Sequence, residues 1–376
     1  MKIGLVCPYS LAHAGGVQQI VRASQEELEK RGHEVTIITP LPRGHEDSVP
    51  HGAVFIGQSK RMQAAFGSTY DVAVSINTGV IKEVLAEHQF DIIHMHEPLV
   101  PFLSMQMLPR ITCPVVGTFH AAMPESFMVK MIAGSMRPYV RSILRQLDGL
   151  TAVSPAATTY IDEYEHGEVS FIPNGIDLNW YKPADSTGRS ADKKTILYVG
   201  RLEGRKGVNY LLQAFGQIAA IRPDLHLVIA GDGPDRQKLT AMAAKLHLVR
   251  TTFLGKVSET EKLRLLQQAT VFCSPPTYGE SFGIVLLEAM ACGIPVVAGN
   301  NMGYQSVLTD RGQISLVDSE DIDALARKLE LMTYDEGVRK LWREWALTAV
   351  TEYGFPRVID QYEAYYLRMA AKVKVA

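Results

Sequence analysis

Short apolar runs and helix-period stretches alternate along nearly the whole chain. Lys2–Cys7, Val35–Thr39, Asp91–Met95, Pro114–Phe119 and Leu150–Val153 are rich in β-branched residues and bounded by Gly, Pro or polar residues, the pattern of strands buried on both faces. Helical spacing fills the intervals at Val17–Arg31, Gly79–His88 and Phe127–Leu147. The same alternation restarts at Thr195–Val199 and runs through His226–Ala230, Val271–Ser274 and Ile294–Ala298. Helices are predicted between these strands at Val208–Ile221, Pro234–Leu246, Glu259–Ala269 and Ser281–Cys292. Strand and helix in turn imply a parallel sheet covered on both faces, an α/β fold. Two such series predict two Rossmann-like domains, 1–172 and 195–354. The joint at 173–194 carries Pro173, Asn174-Gly175, Pro183 and Gly188 in a polar stretch and reads as a linker. A length of 376 residues agrees, because one hydrophobic core rarely grows past about 250–300 residues. Open parallel sheets bind ligands beyond the carboxyl ends of their strands, so a cleft between two facing sheets is where chemistry is expected.

Composition adds mainly exclusions. With 38 basic against 40 acidic side chains, the net charge of −2 gives no general attraction to nucleic acid, and any basic surface must be local. Cys7, Cys113, Cys273 and Cys292 are scattered without a C-x-x-C pair, which excludes a disulfide scaffold and suits a reducing compartment. Four apolar residues, Ile3 to Val6, precede Cys7-Pro8, too few for a signal peptide, and no apolar run approaches the ~18 residues of a membrane span. The expectation is a cytoplasmic protein.

Three segments could hold an anionic ligand. His13-Ala14-Gly15-Gly16-Val17 lies at a strand-to-helix turn, where paired glycines allow close approach to backbone amides. Gly200-Arg201-Leu202-Glu203-Gly204-Arg205-Lys206-Gly207 follows the first strand of the second half and offers two or three cations to a diphosphate. Thr277-Tyr278-Gly279-Glu280-Ser281-Phe282-Gly283-Ile284-Val285 opens a helix whose first amides are free donors, and Glu288 follows Glu280 by eight residues. Eight residues is just over two helical turns, which predicts both carboxylates on one helix face. A carboxylate beside phosphates is best used on sugar hydroxyls; the simpler reading of Glu280 is a helix cap. His94-x-His96-Glu97 places two histidines on one face of a strand. No supporting Cys, His or Asp pattern accompanies them, so lining of an acceptor pocket is preferred to a metal site.

These motifs resemble those of the retaining GT-B glycosyltransferases of the family-four type. Gly15-Gly16-Val17, Arg201 with Lys206, and Glu280-x7-Glu288 match in order and spacing over nearly the whole chain. Cys7-Pro8-Tyr9-Ser10, His94-x-His96-Glu97-Pro98 and Gly117-Thr118-Phe119-His120 are similar to the actinobacterial phosphatidylinositol mannosyltransferases, which use GDP-mannose. The resemblance implies a GT-B fold whose last helix, near 355–376, returns to the first domain. It implies catalytic roles for Arg201, Lys206, Glu280 and His120. Donor contacts would come from Gly15, Gly16, Ser281, Phe282, Gly283, Ile284, Val285, Glu288, Val257 and Lys262. Acceptor contacts would come from Tyr9, His13, His96, Glu97, Lys60 and Arg61. No cofactor and no metal are implied, only a nucleotide diphosphate sugar and a lipid or glycan acceptor. A soluble acceptor with a UDP-sugar donor, a nucleotide-sugar epimerase and a non-catalytic sugar-nucleotide-binding module stay open as alternatives.

Residues 127–147 suggest a further partner. They hold Lys130, Arg137, Arg141 and Arg145 and no acidic residue, with the arginines every fourth position. Met131, Ile132, Met136, Val140 and Leu144 can form an apolar stripe, so a basic amphipathic helix could lie on an anionic membrane. A packed helix with a solvated basic face is the other reading, and Gly134 and Pro138 are expected to interrupt it.

Overall fold

The computed structural model describes residues 1–12, 15–41, 52–63, 69–75, 78–122, 136–184 and 193–373. The chain divides into two units, Met1–Gly175 with Phe355–Ala376, and Ile176–Gly354.

The first unit is built on eight strands: β1 (Lys2–Val6), β2 (Glu34–Leu41), β3 (Ala53–Gln63), β4 (Thr69–Ser75), β5 (Ile92–His96), β6 (Val115–Phe119), β7 (Gly149–Ala152) and β8 (Val169–Phe171). Their order is β4-β3-β2-β1-β5-β6-β7-β8. All neighbours are parallel except β4, which runs antiparallel to β3 at the edge. Ile3, Leu5, Val6, Ile37, Ile38, Ile92, Ile93, Val115 and Val116 are buried, as strands covered on both faces require. Gly16–Lys30 covers one face through Ile20, Val21 and Leu28. The carboxyl-terminal helix Phe355–Val373 completes the same core with Val358, Ile359, Tyr362, Tyr365, Tyr366 and Met369. Arg31 and His33 pin that helix through Asp360 and Glu363 at 2.7–2.9 Å.

The second unit holds β9 (Lys194–Val199), β10 (Leu225–Ala230), β11 (Thr251–Gly255), β12 (Val271–Ser274), β13 (Val296–Gly299) and β14 (Leu316–Val317). These form one fully parallel sheet in the order β11-β10-β9-β12-β13-β14. The helices Val208–Ala219, Glu259–Gln268 and Ile284–Ala291 follow their strands as the periodicity predicts.

Three differences from the sequence expectation have physical causes. First, β3, β4, β8, β11 and β14 were not predicted. They are edge or near-edge strands; β8 and β14 are short, and β11 alternates in burial instead of forming an apolar run. Second, the described part of the expected linker, 173–184, is not a free tether, and 185–192 lie outside the described residues. Ile176 bridges Gly354, its N–H donates to the Tyr353 carbonyl at 2.8 Å, and Tyr181 is buried within the second unit. Third, the expected helix 127–147 is seen over Arg137–Leu144, with 123–135 outside the described residues. Pro138 does not interrupt it but sits in its first turn, where no intrahelical N–H is needed. Val140, Ile143 and Leu144 are buried in the first unit, so this part of the apolar stripe is core and is not offered to a bilayer. Arg137, Arg141 and Arg145 are exposed. Among the described residues no helix is long and apolar enough to cross a membrane.

Candidate functional site

In the second unit, two loops meet at the carboxyl ends of β9 and β12. The first runs from Gly200 through a 3₁₀ turn, Gly204–Lys206, to Gly207, which takes the left-handed conformation at φ 70°. The second, Thr277–Gly283, leads into the helix Ile284–Ala291. Their charges alternate. Glu280 Oε1 accepts from Arg205 Nη1 and from Lys206 Nζ, each at 2.7 Å. Arg205 Nε donates to Glu203 Oε2 at 3.2 Å, and Arg201 Nε lies 3.0 Å from Glu203 Oε1. Burial pulls the Arg205 pKa down, but Glu280 and Glu203 outweigh it, so the net shift is upward and the guanidinium stays charged. Three cations face two carboxylates, an excess of one positive charge at a strand end. Arg201 is the most open of the cations, its side chain 45% exposed, against 19% for Arg205 and Lys206.

Glu280 is neither a cap nor a helical residue. The helix starts at Ile284, behind Gly283 at φ 106°, and no side chain caps it. The expected placement of Glu280 and Glu288 on one helix face is therefore corrected: a non-helical turn separates them. Phe282 is 3% exposed and packs edge-on to Tyr353 at 5.9 Å, so its ring serves the core. Ser281, Gly283, Ile284 and Val285 are half-buried, leaving helix-start amides accessible to an anion. Val257 is half-buried just before the Ser258 cap of Glu259–Gln268.

Glu288 is buried. Its Oε1 accepts from Lys262 Nζ at 2.7 Å and from the Tyr181 hydroxyl at 3.1 Å, and Tyr181 also reaches Glu259 at 3.0 Å. Burial raises the Glu288 pKa, and Lys262 only partly offsets it; Lys262 itself is held above its usual value by the two carboxylates despite burial. For Glu280 and Glu288 alike, every contact among the described residues is made through Oε1. Each carboxylate is anchored by one oxygen, and its other oxygen is uncommitted.

The first unit gathers a second set at the carboxyl ends of β1, β5 and β6. His96 Nδ1 lies 2.9 Å from His120 Nε2, and Glu97 Oε1 accepts the His120 backbone N–H at 2.7 Å. Burial lowers the His120 pKa to about 4, with Asn174 acting the other way, and holds His96 well below its usual value. Both rings are neutral at pH 7. Among the described residues, His96 Nε2 is buried without a hydrogen-bond partner. His94, grouped with them from sequence, is not available to a ligand: it is 1% exposed, with Tyr366 at 2.6 Å on one ring nitrogen and Thr118 at 2.5 Å on the other. Among the described residues no three His, Cys, Asp or Glu converge as metal ligands. Gly15 and Gly16 begin the helix Gly16–Lys30 without a side-chain cap, and Tyr9 is half-buried beside β1. Lys60 is exposed on β3; Arg61 shares that strand with its side chain outside the description, and His13 lies outside the described residues.

Glu97 supplies a pH-dependent signal. Burial raises its pKa from 4.5 to about 7, against the pull of the His120 and Ala121 N–H groups. A carboxyl raised in the folded state favours folding fully below 4.5 and loses that contribution as pH climbs through 7. The stability of Glu97→Gln relative to the parent is expected to grow by roughly 3 kcal/mol between pH 4.5 and 7.5. Denaturant melts across that range measure it, and a pH-independent difference would contradict the buried, proton-holding carboxyl.

Sequence reasoning did not single out Arg205, Glu203, Tyr181 or Asn174. Arg205 stood in the quoted cation loop without a role of its own, and Tyr181 and Asn174 fell in the supposed linker. Periodicity carried no signal for either.

Residues 14–180 match the family described as Glycosyltransferase Family 4, and residues 184–347 match Glycosyl transferases group 1. A phosphatidyl-myo-inositol mannosyltransferase of Mycobacterium tuberculosis is 35% identical over 392 residues, covering 100% of both chains. Among solved structures, a sucrose-phosphate synthase from Thermosynechococcus elongatus superimposes with a TM-score of 0.80 at 22% identity, covering 98% of this chain and 99% of that one. Anabaena Alr3699/HepE in complex with UDP and glucose gives a TM-score of 0.76 at 19% identity, over 98% and 99%. Both likenesses establish the two-sheet GT-B fold.

Proposed function

The chain belongs to the glycosyltransferases of family four, and on that premise we propose that it moves a mannosyl group from GDP-mannose to the hydroxyl of an inositol phospholipid, with retention at the anomeric carbon. The observation that carries the reading is the paired loop in which Arg205 and Lys206 converge on Glu280 at 2.7 Å beside an exposed Arg201. In this reading Arg201 and Lys206 meet the negative charge that grows on the departing diphosphate, the place where preorganised charge lowers a barrier most. The helix-start amides of Gly283–Val285 supply further donors to the phosphates. The free oxygen of Glu280 accepts sugar hydroxyls, and that of Glu288 accepts the ribose. No resident metal is needed, since guanidinium and ammonium groups take its electrostatic place.

His120, kept neutral by burial, acts on the acceptor side with His96, Glu97 and Tyr9. The leaving phosphate assists removal of the acceptor proton in a front-face departure through an oxocarbenium-like state. The choice of mannosyl group and inositol-lipid acceptor follows the full-length relative named as a phosphatidyl-myo-inositol mannosyltransferase, and GDP as the carrier follows the motif resemblance. Attachment to an anionic membrane rests on the exposed Arg137, Arg141 and Arg145, each adding about 1 kcal/mol near such a surface. The buried apolar side of that helix takes no part.

The test combines thermal shifts with transfer. GDP at 100 times its dissociation constant is expected to stabilise the protein by about 2.7 kcal/mol, and UDP or ADP at that concentration by far less. Labelled mannose should pass from GDP-mannose to vesicles containing phosphatidylinositol. Stabilisation by UDP instead of GDP moves the donor to a UDP-sugar, and transfer only to a water-soluble glycan removes the lipid acceptor.

A further inference from the structure

Arg205 grips the Thr277–Glu280 loop more firmly than any other residue of the cation loop. Its carbonyl accepts the Thr277 N–H at 2.9 Å. Its Nη1 donates to the Gly279 carbonyl at 3.1 Å and to Glu280 Oε1 at 2.7 Å. The side chain lies against the turn, so that a Cβ on Gly279 would stand 3.5 Å from Nη1. Glu203 holds the other edge through Nε. The Lys206 ammonium, in contrast, makes one contact among the described residues, to Glu280.

We infer that Arg205 is a positioning residue that acts through Glu280. It splints the carboxylate-bearing turn to the cation loop, so that Glu280 keeps Oε1 on the cations and turns Oε2 to the donor sugar. The inference rests on the nucleotide-sugar reading above and assigns the two neighbouring cations different work. An arginine that clamps a diphosphate needs its fork free for two oxygens. Here Nε and Nη1 are already spent on Glu203, Gly279 and Glu280, and only Nη2 is uncommitted among the described residues. Arg201, whose 45% exposed side chain pairs only with Glu203 among the described residues, and Lys206, with two spare N–H groups, keep the capacity to meet phosphate. A lysine at 205 could not reproduce the reach to three acceptors in different directions. The carboxylate gains from this splint because a hydroxyl-binding group must be fixed to a fraction of an ångström to help in a transition state.

Arg205→Gln and Arg205→Lys, alone and combined with Glu280→Gln, test the inference by calorimetry with GDP and UDP and by turnover of GDP-mannose. Arg205→Gln is expected to leave nucleoside diphosphate affinity within about threefold while kcat falls roughly 10- to 100-fold. In the Glu280→Gln background the same change should cost little further, because residues that act as a unit are not additive. Arg205→Lys should fall between, and it serves if the Gln variant does not fold, as a thermal melt will reveal. Loss of diphosphate affinity in parallel with kcat, or full additivity with Glu280→Gln, overturns the positioning role and makes Arg205 a third clamp. A parent protein that binds neither GDP nor UDP removes the donor reading itself, and the inference with it.

Discussion

Arg201→Ala and Lys206→Ala are each expected to lower turnover by about two orders of magnitude, a loss of roughly 2.7 kcal/mol of transition-state stabilisation. The effect belongs to the chemical step because negative charge on the diphosphate grows as the sugar departs, and a fixed cation then gains more than it did with bound substrate. Folding should change little. Arg201 is 45% exposed, and Glu203 retains Arg205 when it is gone. Lys206 leaves Glu280 with Arg205 at 2.7 Å, so no buried carboxylate is stranded. The variant lacking both cations should fall further, still with a native melt. Single-turnover rates with the labelled donor decide the matter. Near-native transfer by the double variant would falsify the clamp.

Gly207→Ala is expected to destabilise the second unit by roughly 2–5 kcal/mol. Gly207 follows Lys206 at φ 70°, where a side chain is strained, and a Cβ there would lie 1.8 Å from the Pro275 carbonyl oxygen. Neither partner can yield: one side of the contact is the turn that aims Lys206, the other is the backbone leaving β12. The melting temperature should drop by about 5–20 °C, with donor binding weakened as the loop shifts. An unchanged melt would mean that the 3₁₀ turn and the β12 exit are not packed together as described.

Much of the fold was legible because it depends on local periodicity. Strands such as β1, β5, β6, β9 and β12 are largely buried, so each writes a mostly apolar, β-branched run into the chain. Edge strands write no such run. β11, half exposed, and β8, of three residues, were missed for that reason. The candidate site was marked by motifs: Arg201 with Lys206, and Glu280, lie in loops that follow β9 and β12, where an α/β sheet places ligands. Their geometry was not legible. The eight-residue spacing suggested a shared helix face, yet the helix begins only at Ile284. Propensity does not reveal where a glycine-rich turn gives way to helix. Pro138 misled in the opposite sense, as a helix start read as a break.

The sequence by itself determined the α/β class, the two-sheet organisation and the residue types able to hold an anion and a sugar. Each of these follows from composition and from contacts between near neighbours in the chain. Only the tertiary structure decided which groups work together. The motif singled out Arg201 and Lys206 and gave Arg205 no role; a loop some 75 residues later, which packs Glu280 against Arg205 and Lys206, shows what Arg205 holds. Tyr181 looked like linker until its hydroxyl was found on Glu288, 107 positions away. His94 and His96 share one strand face, but one is closed off by Tyr366, a residue of the last helix, and the other turns to His120. A side chain's partner across such distances depends on how strands are ordered in a sheet, and that order is set by the burial of whole elements against one another, which no local pattern records.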